Sequence, residues 1–355
     1  MGRRLRSLMG RGRGTNLAVA LAISGAALFF ALRHVSLHRL GHVLWKGHYG
    51  WLLPASFLLL AIFALRALFW RQTLSVTRRV AYPPLYASVV VGTMANNILP
   101  FRAGEMIRAL YARKLENLPL PLLLSTIFIE RLFDLISLSL LLFLFLTTAG
   151  QPLGHKGIWV IGGTFGLFAG LYLLVHGREG LLGFLDRTIM PLTRGHRLAT
   201  RLFSTIEQAL HGLSSLTSPV LLLRLFLTSL LIWFLTLLFT WLCLVTFDVT
   251  QRPVEVTLAF LVFTNLALLV PSSPGGIGVV QLAAVYALAP FHVSDNRAVA
   301  LSLVNQALVI AVTAILGYLI LSRSHLSLSA MQEQALDLSG AAVAPEDGVA
   351  KKDRP

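Results

Sequence analysis

The chain carries apolar runs of membrane-crossing length at 17–32, 50–70, 119–148, 158–175, 220–247 and 299–321, and these restrict what it can fold into more than anything else. A helix needs about 20 mostly apolar residues to cover the hydrocarbon core of a bilayer. Charged residues make up only 13% of the 355, and hydrophobic ones 56%; an ordinary soluble domain carries about 25% charged residues. The expected fold is therefore an all-α, polytopic integral membrane helical bundle, with about six full spans.

Two further apolar stretches are interrupted. NNILPFRAGE breaks 84–115, and PSSPGGIG breaks 254–290. Residues 176–219 are less apolar and carry Arg178, Arg187, Arg194, Arg197 and Arg201. The organisation expected is a basic arm at 1–16, a membrane domain at 17–322 and a tail at 323–355 too poor in bulky residues to pack. The basic start and apolar core at the N-terminus read as a signal anchor, because no small-residue cleavage site precedes a polar segment.

The net charge of +15 suits anionic lipid better than nucleic acid, since the basic residues cluster between apolar runs. Cys243 is the one cysteine and sits in such a run, which excludes a disulfide framework. Counting Lys and Arg in short loops places the N-terminal arm, 71–82 and 176–219 in the cytoplasm, with 149–157 and 248–253 outside. That count works only if 84–115 enters and leaves on the cytoplasmic face. The same count makes 254–290 a hairpin entering from outside, and puts both termini in the cytoplasm. Two broken hairpins of opposite orientation suggest an inverted repeat, with the break in each half marking a binding site.

Irregular backbone at membrane depth survives only where protein or a wet cavity shields it. In the first break Pro100 stops a helix, Gly104 permits the turn, and Glu105 lies where the next helix begins. Arg102 and Arg108 flank that start, and free amides beside guanidinium groups suit phosphate; the alternative is an interfacial loop touching headgroups passively. Asn97, like Asn96, has no assigned role beyond satisfying exposed backbone. A second group, Glu130, Arg131 and Asp134, falls within one helical turn inside 119–148. Charges at that depth face a bundle interior or cavity, either fixing helix packing or handling a headgroup or proton. Arg66 is a candidate partner for these acids, or it snorkels to the interface. In the second break Pro271, Ser272, Ser273, Pro274, Gly275, Gly276 and Gly278 leave backbone amides free without the lysine or spacing of a nucleotide loop. They read as an unwound segment lining a cavity.

Weaker patterns have plainer readings. His34, His38 and His42 recur every four residues, but Leu37, Leu40 and Leu44 form an apolar stripe, so an interfacial helix is expected there rather than a metal site. Gly162, Gly166 and Gly170 form a small-residue stripe that suits close helix packing, within the chain or with a partner. Metalloprotease, serine-hydrolase and paired-cysteine signatures are missing, so no catalytic residue, metal or cofactor is expected.

Taken in order and spacing, NNILPFRAGEMIRAL, IERLFD and PSSPGGIGVVQ resemble the lysylphosphatidylglycerol synthase transmembrane-region family, also called the flippase-like domain family. The resemblance runs from about residue 15 to 322. Its motifs fall on Leu99, Pro100, Arg102, Gly104, Glu105 and Arg108; on Glu130, Arg131 and Asp134; and on Pro271, Pro274, Gly275, Gly276 and Gly278. Members commonly carry a glutamate where this chain has Gln281, which leaves a hydrogen-bonding role there in place of a titratable one. The resemblance implies the translocation half of the bifunctional members without their aminoacyl-transfer domain. The expectation is a flippase-like transporter moving a phosphate-bearing lipid or lipid-linked intermediate across the cytoplasmic membrane. A membrane-embedded transferase using Glu130 or Asp134 as base, or an accessory subunit of a lipid-synthesis complex, are the alternatives.

Overall fold

The computed structural model describes residues 22–99, 103–148, 218–270 and 272–324, with a few isolated positions elsewhere. The described residues form helices and turns and no strand. Ala22–Leu32 is α1 and Leu37–Trp45 is α2. A long helix α3 (Leu52–Leu74) leads to two shorter ones, α4 (Tyr82–Ile98) and α5 (Gly104–Glu116), and then to α6 (Leu120–Thr148). The same order follows again: α7 (Pro219–Val245), the shorter α8 (Pro253–Ala267) and α9 (Val279–Leu288), and α10 (Asp295–Ser324).

The helix starts are written in the sequence. Prolines occupy the first positions of α4, α7 and α8, where the missing N–H has no partner to lose. Ser218 caps α7 by accepting from the Leu221 N–H. Asn117 ends α5 in the left-handed conformation. The segments Tyr49–Leu74, Pro219–Val245, Pro274–Phe291 and Asp295–Ser324 are long and apolar enough to cross a membrane. In the third of these the backbone is non-helical at Gly275 and Gly278. Regular α-helix occupies only ten residues of it, about 15 Å at 1.5 Å per residue, which is half a bilayer core.

α3 and α7 pack antiparallel. The His48 N–H donates to the Thr246 carbonyl at one end (2.8 Å), and Thr228 donates to Gln72 near the other (3.3 Å). Since α4 follows the end of α3 and α8 follows the end of α7, the two short-helix hairpins enter from opposite ends of the bundle. The expected pair of oppositely oriented hairpins is thus visible as one element order run twice in opposite directions. Trp70, Phe69, Phe133 and Leu123 are buried where α3 meets α6, while Phe57, Leu223, Phe234 and Tyr318 face outward as a lipid-exposed surface requires.

Hairpin 1 closes on two glycines. A Cβ on Gly104 would lie 2.1 Å from the Gly92 carbonyl oxygen, so α4 and α5 touch backbone to backbone. The packed region also passes the boundary expected at 322: α10 runs to Ser324, and Met331 is fully buried against Val91, Ala95, Ile107 and Tyr111 of hairpin 1. Of the expected spans, 158–175 lies outside the described residues except for isolated positions. Gly162, Gly166 and Gly170 are helical and exposed, with open space where a Cβ would stand. His34, His38 and His42 are exposed at and before α2, whose Leu40 is buried against the bundle.

Candidate functional site

The tips of the two hairpins meet. A Cβ on Gly275, in hairpin 2, would lie 3.9 Å from the Asn97 carbonyl oxygen of hairpin 1. Between them is a cavity of about 360 Å³, walled on one side by Thr93, Asn96, Asn97 and Leu99 and on the other by Leu268, Leu269, Val270, Ser272, Ser273, Gly275 and Gly276. The described lining mixes neutral amides and hydroxyls with aliphatic side chains and carries no charge.

Side chains hold both tips open as turns. Asn96 Oδ1 accepts from the Gly104 N–H (2.9 Å) and so caps the start of α5. Asn97 Nδ2 donates to Thr313 Oγ1 on α10 (3.0 Å). Thr313 gives its own proton to backbone carbonyls of α10, so it can only accept from Asn97. In hairpin 2 a relay of glutamines spans the glycine turn. The Gly278 N–H donates to Gln281 Oε1 (2.6 Å), Gln281 Nε2 donates to Gln306 Oε1 (2.6 Å), and Gln306 Nε2 donates to the Gly275 carbonyl (2.8 Å). Its polarity is fixed at both ends, because a backbone N–H can only donate and a carbonyl can only accept. Ser24 of α1 braces the turn by accepting from the Ser273 N–H (2.7 Å).

The relay explains glutamine at 281. A carboxylate there cannot donate to Gln306, and turning the Gln306 amide to meet it would set two oxygens face to face at Gly275. Gln281 is fully buried, and an unsatisfied buried polar group costs about 1–3 kcal/mol. Gln281→Glu should therefore lower the thermal midpoint of purified protein at pH 8 and regain part of the loss at pH 5, where the acid can donate; equal midpoints at both pH values contradict the relay.

The charged residues assemble separately, where α3, α5 and α6 meet. Glu130, 2% exposed, is the hub. Its Oε1 accepts from Arg66 Nη1 (2.8 Å) and Arg131 Nη2 (2.9 Å). Arg108 Nη2 lies 2.8 Å from Oε2, within ion-pair distance but outside hydrogen-bond angles. Asp134 pairs with Arg131 (2.8 Å) and Arg66 (3.2 Å) and accepts from the Trp233 indole N–H of α7 (3.0 Å). Glu105 lies 3.4 Å from Arg131 Nε. The Arg108 guanidinium stacks 4.1 Å from the Trp70 ring centroid, and Trp70 donates to Thr126 Oγ1 (2.8 Å). Three guanidinium groups thus meet three carboxylates, and the cluster is formally neutral.

The structure therefore sorts the described candidates into three groups. Asn97, Gly275, Gly276, Ser272 and Ser273 line the cavity; Glu105, Arg108, Glu130, Arg131 and Asp134 form the ion cluster, and none of these lines the cavity. Gly104, Pro274, Gly278 and Gln281 shape the turns. Pro100, Arg102 and Pro271 lie outside the described residues. Arg66 is a full member of the cluster rather than a snorkelling side chain. Sequence reading missed Thr93, Gln306, Thr313, Trp70 and Trp233. Of these Gln306 was findable, because an amide in the middle of an apolar span is costly unless paired.

Comparison with known proteins agrees with the three-motif resemblance. A family model described as lysylphosphatidylglycerol synthase TM region matches residues 17–317. The chain is 22% identical over 323 residues to the UPF0104 membrane protein MJ1595 of Methanocaldococcus jannaschii, covering 86% of this chain and 94% of that one. It is 28% identical over 202 residues to MJ1078, another UPF0104 membrane protein of the same organism, covering 54% of this chain and 78% of that one. A third relative, glycosyltransferase AglD of Haloferax volcanii, is 26% identical over 285 residues, or 72% of this chain and 45% of AglD.

Proposed function

This chain belongs to the lysylphosphatidylglycerol synthase TM region family, and from that premise we propose that this integral membrane protein is a flippase-like transporter of a polar lipid. The observation that carries the reading is the meeting of two half-helix hairpins, entering from opposite ends, around a polar cavity of about 360 Å³. A headgroup passes between the tips while its tails stay in lipid, and alternate parting of each tip opens the cavity to one side at a time. The substrate bears a phosphate. Arg102, three residues beyond the cavity-lining Leu99, is its proposed contact, since Arg108 is committed to Glu130. The ion cluster anchors hairpin 1 to α3 and α6 while the tips move.

Orientation is proposed from charge. Arg71, Arg78, Arg79, Arg113, Lys114, Arg224 and Arg323 are exposed at one end of the bundle. The other end exposes fewer, Arg33, Arg39, Lys46, Arg252 and Arg297. The first end faces the cytoplasm of a cytoplasmic membrane. The test is reconstitution into vesicles containing a headgroup-labelled phospholipid or lipid-linked sugar. Wild-type protein should expose the label to an impermeant quencher at least tenfold faster than protein-free vesicles, with the lipid's mass unchanged.

A membrane-embedded transferase is the second reading, favoured by the name of the glycosyltransferase relative. The match covers less than half of that relative, and the candidate bases Glu130 and Asp134 are each held by two or more arginines. A lipid product of altered mass would decide for it.

A further inference from the structure

One exposed segment has no part in the hairpins or the ion cluster. The nine-residue α2 lies across the end of the bundle where α7 finishes and α10 begins. Before it, the Ser36 N–H donates to Asn296 Oδ1 at the start of α10 (3.2 Å). After it, the His48 N–H donates to the Thr246 carbonyl at the end of α7 (2.8 Å). Both anchors stand at one end of the bundle, since Arg252, just after α7, stacks on Phe291, just before α10 (5.5 Å). A helix pinned in this way runs in the membrane plane rather than through it.

Its side chains divide by the helical period. Leu40, Val43 and Leu44 pack against the bundle. Leu37, Gly41 and Trp45, at i, i+4 and i+8, form one flank, with Leu37 75% and Trp45 88% exposed. Arg39, His42 and Lys46 form the opposite flank, all exposed. Tyr49 and Trp51 are exposed just beyond, and Trp and Tyr gather at the headgroup level of a bilayer. Among the described residues Arg39 and Lys46 have no ion-pair partner, and residues 1–104 contain no Asp or Glu. Of the acids at this end, Asp248 lies beside His48 (3.5 Å) and Glu255 beside Arg252 (3.2 Å); Asp295 opens α10, where an acid suits the helix dipole.

We propose that α2 is a docking surface for anionic lipid of the leaflet it faces. Leu37 and Trp45 enter the acyl boundary, and Arg39 and Lys46, with Arg33 close before them, meet headgroups of net negative charge. Amphipathic helices with a cationic flank bind a bilayer surface in this way, by buried apolar area plus attraction to anionic lipid. Each such cation favours an anionic surface by about fivefold. A second copy of the chain is the poorer occupant, because pairing α2 with itself sets like charges together. The surface does not depend on the transporter reading; its consequence for transport does. Anionic lipid is gathered at the end from which hairpin 2 enters, which concentrates a phosphate-bearing substrate there.

The test reads lipid preference at Gly41, where a Cβ meets nothing within 4 Å. Full-length Cys243→Ser, Gly41→Cys protein carries a fluorophore at residue 41 in phosphatidylcholine nanodiscs holding a small fraction of doxyl-quencher lipid. Doxyl-phosphatidylglycerol should quench at least about threefold more effectively than doxyl-phosphatidylcholine at equal mole fraction. With Arg39→Gln and Lys46→Gln added, that ratio should fall close to one while quenching by phosphatidylcholine persists, since the apolar flank is intact. Arg39→Lys with Lys46→Arg keeps both charges and should keep the preference. A ratio of one in the parent protein overturns the proposal, as does a raised ratio that survives removal of both charges. Loss of the preference in excess inorganic phosphate at constant ionic strength also overturns it, and assigns the cations to a soluble anion. No quenching by either lipid overturns it too, and puts a protein partner or a second copy over α2. Lipid preference without movement of labelled lipid keeps the surface and loses the transporter reading; movement without preference does the reverse.

Discussion

Glu130→Gln should leave little folded protein. The substitution keeps the shape of the side chain and removes one charge, so Arg66, Arg108 and Arg131 are left with Asp134 and the more distant Glu105. Among the described residues Arg108 has no other carboxylate within ion-pair distance, and it is 5% exposed. Breaking one partner out of a buried ion pair costs about 3–5 kcal/mol, a large share of the total stability of most proteins. Monodisperse protein after detergent extraction should fall severalfold, and the thermal midpoint of the remainder should drop. The sharper test is the pair. Arg108→Met with Glu130→Met removes one charge of each sign and leaves Arg66 and Arg131 opposite Asp134 and Glu105. That double variant should be more stable than Glu130→Gln alone. If Glu130→Gln has the midpoint of wild type, the cluster does not hold hairpin 1 in place.

The second large effect is expected at the glycines. In Gly104→Ala the new methyl would stand 2.1 Å from the Gly92 carbonyl oxygen and 2.6 Å from the Asn96 backbone nitrogen. Those are backbone atoms, so nothing short of separating α4 from α5 relieves the clash, and the Asn96 cap goes with it. A cost above about 4 kcal/mol is expected, in the range that single substitutions seldom exceed. Gly278→Ala meets the Ser24 carbonyl at 2.2 Å with φ at +95°, so strain adds to the clash. Gly25→Ala is the control: a Cβ there meets nothing within 4 Å. As a glycine in α1 it should be neutral or slightly stabilised, since alanine is the better helix former by about 1 kcal/mol. Expression level and thermal midpoint of the three variants measure the contrast.

What could be read from the chain beforehand was whatever has a local cause. Pro100 and the Pro271–Gly278 cluster break helices wherever they stand, so both hairpins were legible. The run lengths gave α3, α6, α7 and α10 to within a few residues. The spacing of Glu130, Arg131 and Asp134 put them in one sector of a helix, but a helical face says nothing about its neighbour. The partner of Arg108 was not legible for that reason: α5 could turn the arginine toward the cavity or toward α6, and Glu130, 22 residues away, is what it meets. Asn96 and Asn97 look alike in sequence and do different things, one capping α5 and the other tying α4 to Thr313. Contacts such as Gln281 with Gln306, or Ser24 with Ser273, join separate helices and leave no local trace beyond a polar residue in an apolar run.

If lipid passes where the hairpin tips meet, tethering the tips should stop it. In a Cys243→Ser background, Asn97→Cys and Gly275→Cys place two thiols where a Cβ on residue 275 would lie 3.9 Å from the residue 97 carbonyl oxygen. The same protein in the same vesicles is then measured oxidised and reduced. Labelled lipid should move at the protein-free rate when the tips are joined, and movement should recover on reduction. Oxidised protein that moves lipid as fast as its reduced form would contradict it.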